Sequence, residues 1–205
     1  MRKVNRVLRV EEGKAEVIEK PYPRITEGFV LVKQHIAPIC TEQRVYDGSP
    51  LEWFEKSDGL GHEGVGEIVE VAPGSSYKVG DRVIIYQGWP CGTCLTCTQG
   101  LGPTHCRNLR GLDAIEKACG SESGGYGFSQ YRIAPEHMVQ RIPDGLSYKH
   151  ASAATCLIGC TYSAVVEQDI SAQHYCLVGG IGFIGLATIV NLKYRNAKVI
   201  ALGRN

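Results

Sequence analysis

Four cysteines constrain this chain more than any other feature: Cys91, Cys94, Cys97 and Cys106 stand as C-x2-C-x2-C-x8-C within PCGTCLTCTQGLGPTHC. The stretch around them, from about Pro90 to Gly125, shows neither a two-residue nor a 3.6-residue apolar period and has little apolar content to fold around. Something other than burial has to hold it. Thiolates bind a tetrahedral Zn²⁺ at about 2.3 Å, and Gly92, Gly100 and Gly102 permit the backbone to curl so that close neighbours share one ion. A centre closed by four sulfurs keeps no open coordination position, so its role is structural. The rival readings are four ordinary cysteines and an iron–sulfur cluster. His105, beside Cys106, is the alternative fourth ligand, and a plain surface histidine is its simpler reading.

The chain holds nine cysteines, an odd number that suits metal better than disulfide pairing and implies a reducing, cytoplasmic setting. Lysine plus arginine number 22 against 21 aspartate plus glutamate, so bulk charge attracts neither nucleic acid nor an anionic membrane. The longest apolar run, Cys176 to Leu192, carries four glycines and Asn191 and falls short of the roughly 20 residues of a bilayer span. MRKVNRVLRV contains no unbroken apolar stretch or small-residue cleavage site, so no secretion signal is expected.

From Val4 to Ala72 the runs VNRVLRV, AEVIE, FVLVKQHIA and GEIVEVA are punctuated by Pro21, Pro23, Gly28, Pro73 and Gly74, a barrel or sandwich pattern. KVGDRVIIY continues it, YRIAPEHMVQRIP resumes it after the cysteine lobe, and Asp144-Gly145 closes it. The alanine-rich spacing that follows predicts one connecting helix from about Tyr148 to Gln168, with Ala154, Ile158, Tyr162 and Val165 on one face. Then come the strand YCLVG, a glycine turn, the helical IGLATIVNLKYRN and the strand KVIAL, a β-α-β unit. The expected division is residues 1–147, 148–170 and 171–205. Doubly wound domains of this kind have about six parallel strands, so the chain is expected to be an N-terminal fragment or truncated product of a longer enzyme.

Gly180, Gly182 and Gly185 in LVGGIGFIGLA form G-x-G-x-x-G between strand and helix. In that context the first glycine makes the turn, the second lets backbone meet a pyrophosphate and the third packs helix on strand. The plainer alternative is a tight turn without nucleotide. After the second strand, VIALGRN offers Arg204 where an NAD site places a carboxylate, which favours the 2′-phosphate of NADP(H) over NAD(H).

Cys40 in APICTEQRVYDG, His62 and Glu63 in GHEGVGEIVEVA, and Cys156 in ASAATCLIGC are each ordinary alone. Together with KVGDRV, the four-cysteine lobe, IPDGLS and VGGIGFIGL, in that order, they make the chain resemble the zinc-dependent medium-chain alcohol dehydrogenases, from about Val4 to Arg204. The resemblance implies a GroES-like β-barrel catalytic domain followed by the start of a Rossmann domain, truncated after its second strand. It implies a catalytic zinc on Cys40, His62 and Cys156, with Glu63 near enough to approach it, and a position for Cys160 facing the nicotinamide pocket. The family's C-G-[ST]-D is one residue shorter here, which places Thr41 as the hydroxyl that carries the substrate proton and Glu42 as the group that orients a ligand. No histidine occupies the family's relay end.

The implied activity is hydride transfer between an alcohol, polyol or carbonyl compound and a nicotinamide cofactor, in a homo-oligomer when complete, with no nucleic-acid or membrane partner. Rival readings are a non-catalytic zinc-stapled scaffold, a zinc-ribbon nucleic-acid module and a zinc-independent reductase. Trp53, Phe54 and Trp89 are candidates for an apolar substrate pocket or for simple packing.

Overall fold

The computed structural model describes residues 3–11, 13–46, 58–86, 88–101 and 105–204, and Trp53 and Phe54 lie outside them. The chain divides into two units, Met1–Ser152 and Ala153–Asn205. Among the described residues, no helix is long and apolar enough to cross a membrane.

In the first unit, β1 (Val4–Glu11) and β2 (Lys14–Pro21) form an antiparallel hairpin in register from Val4↔Pro21 to Glu11↔Lys14. Asn5 ties it to the rest, donating to Ser123 Oγ and the Tyr131 carbonyl and accepting from the Tyr131 amide at 2.9 Å. Its burial is complete and its amide is fully satisfied.

The main sheet has five antiparallel strands. In chain order they are β3 (Phe29–Ile36), β4 (Gly64–Val71), β5 (Arg82–Ile85), β6 (Tyr131–Pro135) and β7 (Val139–Arg141). Spatially the order is β6-β3-β4-β5-β7. The continuous apolar start of β3 has a simple cause. Val30 and Val32 enter one cluster with Ile68, Val83, Ile85, Ala134 and Val139, while Phe29 and Leu31 enter another with Ile115, Cys119 and Ile133. A strand buried on both faces loses the usual alternation, and each aliphatic side chain so buried contributes about 1.5–3 kcal/mol.

Short helices interrupt the sheet: α1 (Gln43–Tyr46), α2 (Leu95–Thr98), α3 (Asp113–Ala118) and α4 (Tyr148–Ser152). Here the sequence expectation needs correcting. The stretch 90–125 is not wholly without a core contribution, because α3 places Ile115 and Cys119 in the cluster beneath β3. YRIAPEHMVQRIP is also not one strand: a 3₁₀ turn at Glu136–Met138 divides β6 from β7.

The second unit holds α5 (Leu157–Glu167), β8 (Tyr175–Gly179), α6 (Phe183–Tyr194) and β9 (Lys198–Leu202). β8 and β9 pair in parallel from Tyr175↔Lys198 to Gly179↔Leu202, with α6 as the crossover. Val165, Val178, Leu192 and Ala197 form the core. The single helix expected over 148–168 is two, α4 and α5, because residues 153–156 turn and Cys156 adopts φ −129°, ψ −63°. The buried face of α5 carries Thr161 and Val165, whereas Tyr162 is exposed and Ala154 precedes the helix. Thr161 tolerates burial because its hydroxyl accepts from the amide of Asn191 at 2.8 Å.

Candidate metal centres

The four-sulfur lobe is assembled as its spacing requires. Cys91 and Cys97 Sγ lie 3.9 Å apart, Cys94 and Cys97 3.5 Å, Cys94 and Cys106 4.0 Å. A disulfide would hold sulfurs at about 2.05 Å. Four sulfurs at about 2.3 Å from one ion stand roughly 3.8 Å apart, so the donor set fits tetrahedral zinc. Positive φ at Gly92 (+75°) and Gly100 (+71°) supplies the curl. His105 is not in the cluster; its Nδ1 lies 2.8 Å from the Leu101 carbonyl.

Hydrogen bonds polarise these thiols unevenly. The amide and hydroxyl of Thr93 lower Cys91 to about 7. The Thr96 hydroxyl, 3.1 Å from Cys94 Sγ, leads the set that lowers that thiol to about 5. Desolvation and the neighbouring sulfurs push Cys97 up to about 12. So many adjacent sulfurs ionise together only beside a cation.

The second centre follows from strand register. β3 and β4 pair with Ile36 opposite Val65, so the segment leaving β3, which reaches Cys40, and the segment entering β4, which carries His62 and Glu63, meet at one end of the sheet. One ligand atom each from Cys40, His62 and Glu63 lies within 4.8 Å of the others, and His62 Nε2 is 3.5 Å from Glu63 Oε1. Bonds of about 2.0–2.3 Å to a divalent ion place ligand atoms roughly 3.3–3.8 Å apart, so this set also fits. Cys156 is carried by the second unit, where its carbonyl accepts the Cys160 amide at 2.8 Å.

Glu42 fixes the imidazole. Its Oε1 lies 2.6 Å from His62 Nδ1 and its Oε2 accepts the Cys40 amide at 3.0 Å, leaving His62 Nε2 for the centre. Burial alone would raise the Glu42 carboxyl, but His62 and the backbone amides outweigh it and hold the group below its ordinary value. Thr41 is exposed, and its carbonyl accepts the Arg44 amide at the start of α1.

Two glycines let the supporting backbones touch. Gly127 donates to the Gly61 carbonyl at 2.7 Å and Phe128 to the Leu60 carbonyl at 2.9 Å. A Cβ on Gly127 would lie 2.4 Å from the Glu63 carbonyl, and one on Gly61 (φ +85°) 2.5 Å from the Phe128 ring. Behind them Arg132 on β6 is wholly buried and donates from Nη2 to the His62 carbonyl at 3.2 Å. Burial pushes its guanidinium down to about 10 against the opposing charges of Glu63 and Glu42. No sequence signal marks Gly127 or Arg132, because neither belongs to a ligand motif.

In the glycine turn, Gly180 has φ +89° and its amide donates to the Leu202 carbonyl at the end of β9. A Cβ on Gly182 would meet nothing within 4 Å, whereas one on Gly185 would lie 1.8 Å from the Gly180 carbonyl. Arg204 is exposed just beyond β9. Trp89 is in packing, edge-on to Phe29 at 5.5 Å and covered by the Arg110 guanidinium at 4.5 Å.

Comparison with known proteins gives a family profile, the alcohol dehydrogenase GroES-like domain, over residues 26–144. The chain is 33% identical over 189 residues to an uncharacterized zinc-type alcohol dehydrogenase-like protein of Escherichia coli, covering 88% of this chain and 51% of that protein. It is 32% identical over 193 residues to an alcohol dehydrogenase of Geobacillus stearothermophilus, covering 91% and 53%. A cinnamyl alcohol dehydrogenase from Sorghum bicolor shares the fold with a TM-score of 0.82 at 23% identity, over 99% of this chain and 59% of that one. The chain thus spans about half the length of the curated relatives it matches.

Proposed function

Because the chain belongs to the zinc-type medium-chain alcohol dehydrogenase family through its GroES-like domain, we propose that the protein transfers hydride between an alcohol or polyol, or its aldehyde or ketone, and a nicotinamide cofactor. The observation that carries the reading is the convergence of Cys40, His62 and Glu63 with Glu42 locked behind the imidazole. Cys40 and His62 would hold the catalytic zinc with Glu63 beside it, and Cys91, Cys94, Cys97 and Cys106 would hold the structural one. Zinc supplies Lewis-acid polarisation of the substrate oxygen, and the nicotinamide accepts or gives the hydride.

The chain's own groups do the rest. Glu42 keeps His62 in one tautomer and orientation. Thr41 would relay the substrate's hydroxyl proton, its hydroxyl accepting that proton as it gives its own to water, which its exposure allows. We read β8, α6 and β9 as the opening of a Rossmann domain, in which Gly180 turns the chain, Gly182 admits the pyrophosphate and Gly185 seats the helix. Arg204 favours NADP(H), since it lies two residues beyond Leu202, the acceptor of the Gly180 amide.

Elemental analysis of the purified chain tests the reading, with two zinc ions expected, one lost in His62→Ala and the other in Cys97→Ser. A single ion, unaffected by His62→Ala, supports a stapled scaffold instead. NADPH binding more tightly than NADH in a fluorescence titration supports the Arg204 assignment, and the reverse order refutes it.

A further inference from the structure

Arg132 is an odd residue to find inside a small β domain. It sits on β6 opposite Val32, with no exposed surface, and its one side-chain hydrogen bond among the described residues runs from Nη2 to the His62 carbonyl at 3.2 Å. Nε and Nη1 are buried with no hydrogen-bond partner among those residues. A guanidinium in that state is costly unless opposite charge surrounds it. The carboxylates of Glu63 and Glu42, themselves 4% and 3% exposed, act on it electrostatically, Glu63 the more strongly. These carboxylates flank His62 on either side, one 2.6 Å from Nδ1 and the other 3.5 Å from Nε2.

Arg132 precedes Ile133 and Ala134 on β6, whose side chains enter the two apolar clusters. Its remaining donors are not spent on tying strands together, so what it offers its surroundings is one grip on the His62–Glu63 peptide and one positive charge. Both act at the same centre.

We infer that Arg132 is a positioning residue of the histidine centre, fixing the backbone that presents His62 and Glu63 and serving as the buried counter-charge that keeps Glu42 and Glu63 gathered around the imidazole. The inference rests on the metal reading of that centre. It concerns how the apo site is kept in shape for an ion, and Arg132 itself touches neither ion nor substrate.

The test uses Arg132→Met and Arg132→Lys in the full chain, titrated with Zn²⁺ while the ring ¹⁵N signals of His62 report its own centre by NMR. Occupancy of the four-sulfur lobe serves as the reference for correct folding. Loss of a group supporting metal ligands costs about 10–100-fold in affinity, so Arg132→Met is expected to weaken zinc at His62 by that factor while the lobe stays loaded. Arg132→Lys, which keeps the charge without the fork, is expected to fall between Met and the parent. Wild-type affinity and unchanged His62 shifts in Arg132→Met overturn the inference. If Arg132→Met also empties the lobe, the lysine variant decides: parental affinity and shifts overturn it, and weakened zinc at His62 with a loaded lobe supports it. A parent chain whose His62 ring never responds to zinc removes the metal reading and this inference together, an outcome distinct from a responsive parent with an equally responsive methionine variant.

Discussion

Stripping the ion from the four-sulfur lobe should unfold that lobe and nothing else. No described residue from 88 to 114 is buried, and only Trp89 and Leu112 near its ends pack against the core, so the cysteine segment between them has little apolar area to hold it. Its regular structure is the single turn α2, whose backbone bonds include Thr98 to Cys94, Gln99 to Leu95, Gly100 to Cys97 and Leu101 to Thr96 at 3.0–3.1 Å. A lone helical turn is disfavoured by a nucleation factor of about 10⁻³, whereas zinc binding by small cysteine sites is worth roughly 10–16 kcal/mol. With the ion bound, these four amides open only by ion release or global unfolding, at about 5 kcal/mol or more. Without it, protection should fall by roughly three to four orders of magnitude, since about 1.4 kcal/mol is tenfold. Amide hydrogen exchange by NMR, under constant reductant and with or without chelator, reads this directly. The amides of Val32, Ile68 and Val83, at wholly buried core residues, should hold their protection. Lobe amides that stay protected after chelation would refute the argument that a metal substitutes for a core.

Other expectations follow from single contacts. Gly127→Ala, whose Cβ would lie 2.4 Å from the Glu63 carbonyl, should cost about 1–3 kcal/mol by urea unfolding, and a neutral result would mean the two backbones separate freely. Ile68→Ala, at a wholly buried position, should cost about 2–5 kcal/mol by the same measurement. The Glu42 carboxyl is held below its ordinary value, so its stabilisation is complete above an unfolded pKa of about 4.3 and disappears as pH falls through the folded value. The wild-type advantage over Glu42→Gln in urea midpoint should therefore be largest near neutrality and shrink toward pH 3, and a constant difference would contradict it.

The elements most legible in the sequence are those whose period survives burial on one face, together with the strand, glycine turn and helix of the β-α-β unit. At its glycines the backbone has positive φ at Gly180, open space at Gly182 and close contact at Gly185. The break between α4 and α5 is hidden because alanine-rich helical spacing runs straight through the turn at 153–156. Ile115 escapes notice because one apolar residue in a polar stretch makes no period, although α3 drives it into the core. No spacing rule joins Cys40 to His62, and only family likeness suggests the pair. The antiparallel register of β3 and β4 is the physical reason they meet. Arg132 is illegible because residue type alone argues against burying an arginine.

The two centres are built on opposite principles, and that difference supports the separate roles proposed for them. Around the four sulfurs the protein supplies ligands but hardly any scaffold, so the ion there is part of the fold. Around His62 the scaffold precedes the ion: Glu42 and Glu63 are buried, Gly61 and Gly127 clamp the backbone, and Arg132 supplies charge from behind. Two buried carboxylates against one guanidinium leave that region short of positive charge, which a divalent ion would offset. A centre already shaped by its own protein contacts can keep a coordination position open for a reactant, whereas one that must close around its ion to exist cannot. Chelation should therefore release zinc from the His62 centre while the strands beneath it stay folded, and the same treatment should melt the lobe.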